Sequence, residues 1–194
     1  MIANLSGRLE AVNSNSVIIN VNGIGFLVYM PSNALNVIGS LGSEIKLYTH
    51  LHVREDVLSL YGFITPEELK LFETFITVSG IGPKLGLAML SAMTVEQLTM
   101  AIAAGDANML KQIPGIGKKT SERIVLELKD KIETEILTMP AARATQGNND
   151  VIAALISLGY SVSEAARAAY AVPANENMSL QERVKLALQY FGNR

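Results

Sequence analysis

One short pattern occurs twice in this chain, as Val78-Ser79-Gly80-Ile81-Gly82-Pro83-Lys84 and as Ile113-Pro114-Gly115-Ile116-Gly117-Lys118-Lys119, and it restricts the fold more than any other feature. Each copy has an aliphatic residue, a Gly-Ile-Gly core and then a basic residue. Apolar-periodic segments precede both copies, and others follow them, Leu85 to Met93 and Thr120 to Leu128. The unit reads as helix, tight turn, helix, used twice. Glycine takes φ > 0 at no steric cost, so Gly-Ile-Gly can reverse the chain sharply between helices. Without Cβ atoms its amides can also approach a ligand. The helix that follows points unpaired N–H groups and the positive end of its dipole at the turn, which makes an anion site. Pro83 suits the first position of such a helix. Ile81 and Ile116 are expected to point inward and anchor the turns, and a β-branched residue at Gly82 or Gly117 is expected to strain them. The expected anion is a nucleic-acid phosphate, with Lys84, Lys118, Lys119 and Arg123 adding charge. Ordinary interhelical turns with glycine C-caps would need no such ligand. They would not account for two copies in register, each with its basic residue.

Net charge weighs against this reading at first sight. The 194-residue chain carries −2, whereas nucleic-acid-binding domains are usually basic. The charge must therefore be segregated, and the hairpins show it. Residues 77–93 hold Lys84 and no acid, and residues 111–123 hold Lys111, Lys118, Lys119 and Arg123 against Glu122. Acids collect elsewhere, at Glu55-Asp56, Glu67-Glu68 and Glu133/Glu135. A basic face on a mildly acidic protein is plausible where an oligomer gathers several such faces. Almost half the residues are apolar, so the chain can bury a real core. No apolar run is long enough for a membrane helix, and the first residues lack a basic region and an apolar signal core. The absence of cysteine excludes disulfides and thiolate metal sites and fits a cytoplasmic location.

Residues 1–64 read as β. Ile2 to Val12, Val17 to Val21, Ile24 to Met30, Ile45 to Val53 and Val57 to Ile64 are β-rich runs separated by turn signals such as Asn22-Gly23 and Arg54-Glu55-Asp56. They predict a small barrel of the OB type, with Ser32 to Ile38 as a helical turn or loop. His50 and His52 share a strand face with Tyr48; with no third ligand evident, they read as surface or interface residues rather than metal ligands. Glu55 and Asp56, at a tight turn, read on composition as a solvated tip. Thr65-Pro66-Glu67-Glu68 then opens a helix with a capping box, and Leu69, Phe72 and Ile76 fall on one face of it. Thr94-Val95-Glu96-Gln97 is a second box, Gly105 ends that helix, and Asp106 caps a short helix to Ile113. A long helix runs from Lys119 to about Thr138. Met139 to Asn149 reads as a linker. Three helix signals follow: Asp150, Ser161-x-x-Glu164 and Ser179-x-x-Glu182. A small tethered helical unit of this kind suits an interaction module.

Singly, each Gly-Ile-Gly unit resembles the helix-hairpin-helix motif, which binds DNA backbone without reading sequence. The order of features along the whole chain resembles the bacterial Holliday-junction-binding RuvA family. The strongest matches are His50-Leu51-His52-Val53-Arg54-Glu55-Asp56, Gly80-Ile81-Gly82-Pro83-Lys84, and Pro114-Gly115-Ile116-Gly117-Lys118-Lys119-Thr120-Ser121-Glu122-Arg123. The resemblance implies a multidomain α+β protein. An OB-fold barrel, residues 1–64, would serve oligomerisation. A tandem helix-hairpin-helix domain, 65–139, would bind DNA through Gly80, Gly82, Lys84, Gly115, Gly117, Lys118, Lys119 and Arg123. A flexible linker, 140–149, would lead to a three-helix, ubiquitin-associated-like domain, 150–194. The family forms a fourfold tetramer, or two face to face as an octamer, that holds a four-way junction open and square. Glu55 and Asp56 fall on its acidic pin near the fourfold axis. Its C-terminal domain binds the ring ATPase RuvB, for which Leu155, Leu158 and Tyr160 are the candidate contacts here, and the resolvase RuvC is a further expected partner. No cofactor, metal or catalytic residue is implied.

Other classes stay open on the residues alone. A helix-hairpin-helix glycosylase needs a catalytic Asp on the helical scaffold, often with a nucleophilic Lys, and a pocket for a flipped base, and a nuclease needs an acid cluster with metal-ligand spacing, which the sequence does not show. Lys84, Lys118, Lys119 and Asp130 match by type, but the chain has no Trp and few aromatic residues for such a pocket. A single-strand binder would use stacking aromatics along a basic groove, and residues 1–64 supply only Arg8, Lys46 and Arg54 as basic groups. A phosphate-binding loop of the motor type fails at Gln112 and Lys119, which stand where Gly and Ser or Thr are required.

Overall fold

The computed structural model describes residues 1–138, 148–160, 164–165, 168–169, 172 and 178–192, side chains excepted at 133–149 and 191–192. They fall into two compact units, Met1–Leu98 with Lys111–Thr120, and Thr99–Leu110 with Ser121–Arg194.

The first unit begins with the barrel that the β-rich runs predict. Its strands are β1 (Asn4–Val12), β2 (Ser16–Val21), β3 (Ile24–Tyr29), β4 (Glu44–Val53) and β5 (Leu58–Phe63), with a helical turn α1 (Ser32–Leu35) between β3 and β4. Asn22 and Gly23 both have positive φ (51° and 88°), as the tight reversal between β2 and β3 requires. The barrel closes in the order β1-β2-β3-β5-β4. All pairs are antiparallel except β3 with β5, which is parallel and meets at Val28↔Leu60 and Tyr29↔Tyr61. This is the OB topology. Period-two alternation sends Leu5, Leu9, Val17, Ile19, Val28, Met30, Leu47 and Leu60 inside.

Helix α2 (Pro66–Ile76) starts on the capping box read from the sequence: the Glu68 amide donates to Thr65 Oγ1 at 3.2 Å, and Glu68 Oε2 accepts from the Thr65 amide at 3.2 Å. Its buried face is not the expected stripe. Leu71, Phe72 and Phe75 are buried, while Leu69 and Ile76 are half-buried at the margins. The reason is that α2 is packed on two sides. Phe72 stacks on Phe63 (4.8 Å between centroids) and Tyr61 (5.4 Å) of the barrel, and Gly86 of α3 (Pro83–Ala92) also lies against its ring. The barrel holds α3 directly too, since the Ser32 amide donates to Ser91 Oγ at 2.9 Å and Asn33 Nδ2 to the Leu90 carbonyl at 3.0 Å. The first hairpin is thus fixed to the barrel by both apolar and polar contacts.

Helix α4 (Val95–Ala103) starts on the second box, Thr94 with Gln97, and ends before Gly105 at φ +72°. Asp106 Oδ1 accepts from the amides of Asn108 and Met109 and caps α5 (Ala107–Leu110). That helix stops short of the expected Ile113, because Ile113 already belongs to the second turn. Helix α6 spans Lys118–Thr138.

In the second unit Ile102, Leu110, Ile124 and Leu128 are fully buried. Its C-terminal part holds α7 (Asn148–Ser157) and α8 (Leu180–Gly192), with helical residues at 164–165 and 168–169. Helix α7 begins inside the stretch read as linker; the rest of that stretch lies outside the described residues. Val151, Ile152, Leu155, Ala165, Ala168, Ala169, Val172 and Ala187 form one core, whose small side chains allow close helix approach. The Ser179–Glu182 box is formed, and its two hydrogen bonds to the Glu182 carboxylate hold that group's pKa below the usual value. The expected box at Ser161 lies outside the described residues. Among the described residues no single helix is long and apolar enough to cross a membrane.

Phe72 joins barrel, α2 and α3. Phe72→Ala is expected to lower unfolding stability by about 3–5 kcal/mol, measured by urea denaturation. A loss below about 1 kcal/mol would show that the hairpin is not anchored through this ring.

Candidate nucleic-acid interface

The two Gly-Ile-Gly turns have one geometry. The Ile81 amide donates to the Val78 carbonyl at 3.0 Å, and the Ile116 amide to the Ile113 carbonyl at 3.0 Å. In each turn the residue before the isoleucine is a glycine at left-handed φ, Gly80 at +89° and Gly115 at +90°. These are four-residue turns that need φ > 0 at the third position, and Pro114 suits the second position of the later copy. Ile81 and Ile116 point inward as expected, both nearly buried beside Val78 and Ile113.

The second glycines differ from the expectation. Gly82 sits at φ −96° and ψ 173°, an extended conformation open to any residue, and Gly117 is not among the positive-φ glycines. A Cβ built on either meets no atom within 4 Å. A side chain there would not strain the turn; it would fill the space where a ligand must approach the backbone. Strain belongs to Gly80 and Gly115.

Both turns feed helices with no acid in the first turn. Gly82 caps α3 without a side-chain hydrogen bond, and the first turn of α3 holds no acid. Helix α6 begins immediately after Gly117, again with no acid in its first turn. By contrast, Thr65, Thr94, Asp106 and Ser179 all accept from first-turn amides of the helices they open. The helices that follow the glycine turns thus present amide donors and positive dipole ends outward. The turns are also neighbours: a Cβ on Gly115 would lie 3.3 Å from Leu85 Cδ1, in the first turn of α3. Lys84, Lys118 and Lys119 are exposed at these ends. Arg123 lies in the second turn of α6, half-exposed, with Nε 4.0 Å from Glu127 Oε1.

The acidic tip is a two-residue reversal between β4 and β5. The Arg54 amide donates to the Val57 carbonyl at 2.8 Å, and the Arg54 carbonyl accepts from the Val57 amide at 3.4 Å, so Glu55 and Asp56 form the exposed tip. Val53, Val57 and Leu58 beside it, and Ile24 and Leu27 on β3, are exposed apolar residues. The histidines are committed within the chain. His50 Nδ1 lies 2.9 Å from Glu73 Oε1 of α2, and Arg54 Nε donates to His52 Nε2 at 3.0 Å. Burial, and then the charges of Arg54 and His50, hold the His52 pKa below its ordinary value. The sequence reading missed Glu73, since nothing in the spacing joins it to β4. The link from His52 to Arg54 was available, because alternate residues share a strand face.

Of the three candidate partner contacts, Leu155 is fully buried in its own core and is withdrawn as a surface residue. Leu158 is 59% exposed, and Tyr160 is half-buried. The i, i+3 spacing of Leu155 and Leu158 could not separate core from surface at the end of a helix.

The barrel, the paired glycine turns and their basic helix ends define a tandem helix-hairpin-helix protein of the nucleic-acid-binding class. Family models agree: residues 1–62 match the RuvA N-terminal domain, 72–130 the SAM-like helix-hairpin-helix tandem, and 146–191 the RuvA C-terminal domain. The chain is 55% identical to the Holliday junction branch migration complex subunit RuvA of Dehalococcoides mccartyi over 194 residues, all of both chains. It is 48% identical to the protein of that name from Herpetosiphon aurantiacus, over 99% of each chain, and 46% identical to that of Chloroflexus aurantiacus, over the whole of both. The chain belongs to the RuvA family.

Gly80→Ala and Gly115→Ala are each expected to cost about 1–2 kcal/mol of stability, because both place a Cβ at left-handed φ. Gly82→Ala and Gly117→Ala should change stability by less than about 1 kcal/mol. Thermal unfolding of the four variants checks this ordering, and equal losses at all four positions would contradict it.

Proposed function

We propose that this chain binds four-way DNA junctions through phosphate contacts, without reading base sequence, as the non-catalytic subunit of an ATP-driven branch-migration complex in recombination and repair. One observation carries the reading: two adjacent helix N-termini, neither with an acid in its first turn, are reached through glycines whose missing Cβ leaves open space and are flanked by Lys84, Lys118 and Lys119. Backbone amides there suit phosphate oxygens and no base edge. The names of the relatives support the same substrate.

In this reading the chain acts as a homotetramer, or as two stacked tetramers, in the cytoplasm. The exposed apolar residues Ile24, Leu27, Val53, Val57 and Leu58 suit contact between copies. Four acidic tips then converge at the centre of the junction. Phosphates are repelled there and attracted along the arms. A continuous duplex would have to cross the repelling centre, whereas an open junction leaves it empty, so Glu55 and Asp56 supply selectivity at some cost in affinity. The division of labour follows the sequence: residues 1–64 assemble the tetramer and carry the tips, 65–139 hold DNA, and 140–149 tether 150–194. The last domain recruits the ring ATPase RuvB through a surface that includes Leu158 and Tyr160, and RuvC resolves the junction held by the complex. The fuel is spent by the ATPase, and this chain contributes position and charge.

Lys118→Ala or Lys119→Ala is expected to weaken binding equally for junctions of different sequence, and to flatten the dependence of log K on log salt by roughly one unit per lost phosphate contact. A changed sequence preference with an intact salt slope would refute backbone recognition. Removing residues 150–194 should leave junction affinity within about twofold and abolish ATP-driven branch migration, in keeping with a tethered recruitment module. Loss of junction binding by a truncated tetramer that is still assembled would place DNA contacts in that domain.

A further inference from the structure

The strand leading to the acidic tip carries a contact that phosphate binding does not use. His50 and His52 are alternate residues on one face of β4, and Arg54 follows two positions later, just beyond its last residue Val53. Arg54 Nε donates to His52 Nε2 at 3.0 Å. An imidazole nitrogen accepts only when it carries no proton, so the bond requires neutral His52 with its proton on Nδ1. Arg54 is then drawn back along the strand. Among the described residues it makes no ion pair with Glu55 or Asp56, although they follow it directly in the chain.

The surroundings of His52 favour the neutral ring. His50 lies 6.2 Å away on the same strand, and Arg54 is the bonded cation. Across the ladder Ser59 is its partner residue. Tyr61 of β5 packs edge-on at 6.3 Å, and Tyr29 of β3 stands 5.7 Å beyond Tyr61. The nearby carboxylate of α2, Glu73, is taken by His50, and β1 pairs with β4 only as far as Tyr48. Burial, and then the charges of Arg54 and His50, hold the His52 pKa below its ordinary value, which favours the neutral ring.

We propose that His52 is a positioning residue for the acidic tip: its neutral ring holds the Arg54 guanidinium away from Glu55 and Asp56 and leaves their carboxylates uncompensated, and protonation releases Arg54 to offset one of the two negative charges. The inference rests on the reading of Glu55 and Asp56 as the source of junction selectivity. It makes that selectivity a function of one ring nitrogen. A proton on Nε2 removes the acceptor and sets a second positive charge against the guanidinium. The two carboxylates of the tip follow Arg54 directly in the chain, and a tip partly compensated by its guanidinium repels phosphate less.

The test uses the full chain and one quantity, the ratio of dissociation constants for linear duplex and four-way junction, at fixed salt from about pH 8 to about pH 5.5. The ratio should fall by about threefold as the His52 ring takes up its proton, the scale of one exposed ion pair. His52→Gln keeps an acceptor that does not titrate, so its ratio should stay at the high value throughout. His52→Leu offers no acceptor and should show the low ratio at every pH. Arg54→Gln has no cation to release and should be high and flat, whereas His50→Gln should keep the parent's pH response. Nitrogen NMR of the His52 ring should show its protonation coinciding with the fall. A pH-independent ratio in the parent, or a pH response that survives in His52→Gln, would overturn the inference. The Glu55→Gln/Asp56→Asn variant separates the two claims. If its ratio equals the parent's at about pH 8, the tip confers no selectivity and the underlying reading fails with the inference. If its ratio is low while the parent's is flat with pH, only the role of His52 fails.

Discussion

In the proposed reading, the approach of a phosphate to these turns depends on a left-handed backbone at Gly80 and Gly115. At φ near +90° the chain turns within four residues and starts the next helix with no acid in its first turn. A side chain at either position would push the turn toward a wider loop. The buried isoleucine after each glycine locks the reversal from the inside. Rigidity matters here because amide donors bind an anion well only when already aimed. The barrel supplies that rigidity through Phe72 and through the Ser32 and Asn33 hydrogen bonds to α3.

Capping then separates structural helices from those offered to a ligand. Thr65, Thr94, Asp106 and Ser179 accept from their own helix amides, and none of those ends is available to an outside anion. The ends after Gly82 and Gly117 hold no acid in the first turn and carry lysine. The same segregation reconciles a net charge of −2 with a DNA partner: positive groups gather at these ends, and acids stand at the β4–β5 tip or on other helix faces. Net charge alone would have assigned this protein to the wrong class, since a partner meets the local field rather than the sum.

Much of this was legible in the sequence, for reasons that can be named. Strand alternation and Asn22-Gly23 gave the barrel, because a hairpin of that composition has few other conformations. The capping boxes marked helix starts nearly to the residue, since the hydrogen bonds that define them are local. The tertiary contacts were not legible. The buried face of α2 moved to Leu71, Phe72 and Phe75 because a second layer packs on it, and no periodicity encodes two neighbours. Gly82 and Gly117 looked like strained positions because spacing shows that a glycine is needed without showing whether φ or space requires it. Leu155 lay in a core and not on a surface. Glu73 reached His50 from another element.

The central proposal is that open backbone at Gly82 and Gly117, together with the flanking lysines, holds the DNA by its phosphates. It is tested most directly by the dissociation constants of the parent and of the Gly82→Ala/Gly117→Ala double variant for a four-way junction and a linear duplex of equal length, at one salt concentration. The account expects the parent to prefer the junction. It expects the double variant to keep its unfolding midpoint while losing about tenfold or more in affinity for both DNAs, because phosphate contacts position the complex on any sequence. A folded double variant that binds the junction as tightly as the parent would contradict it.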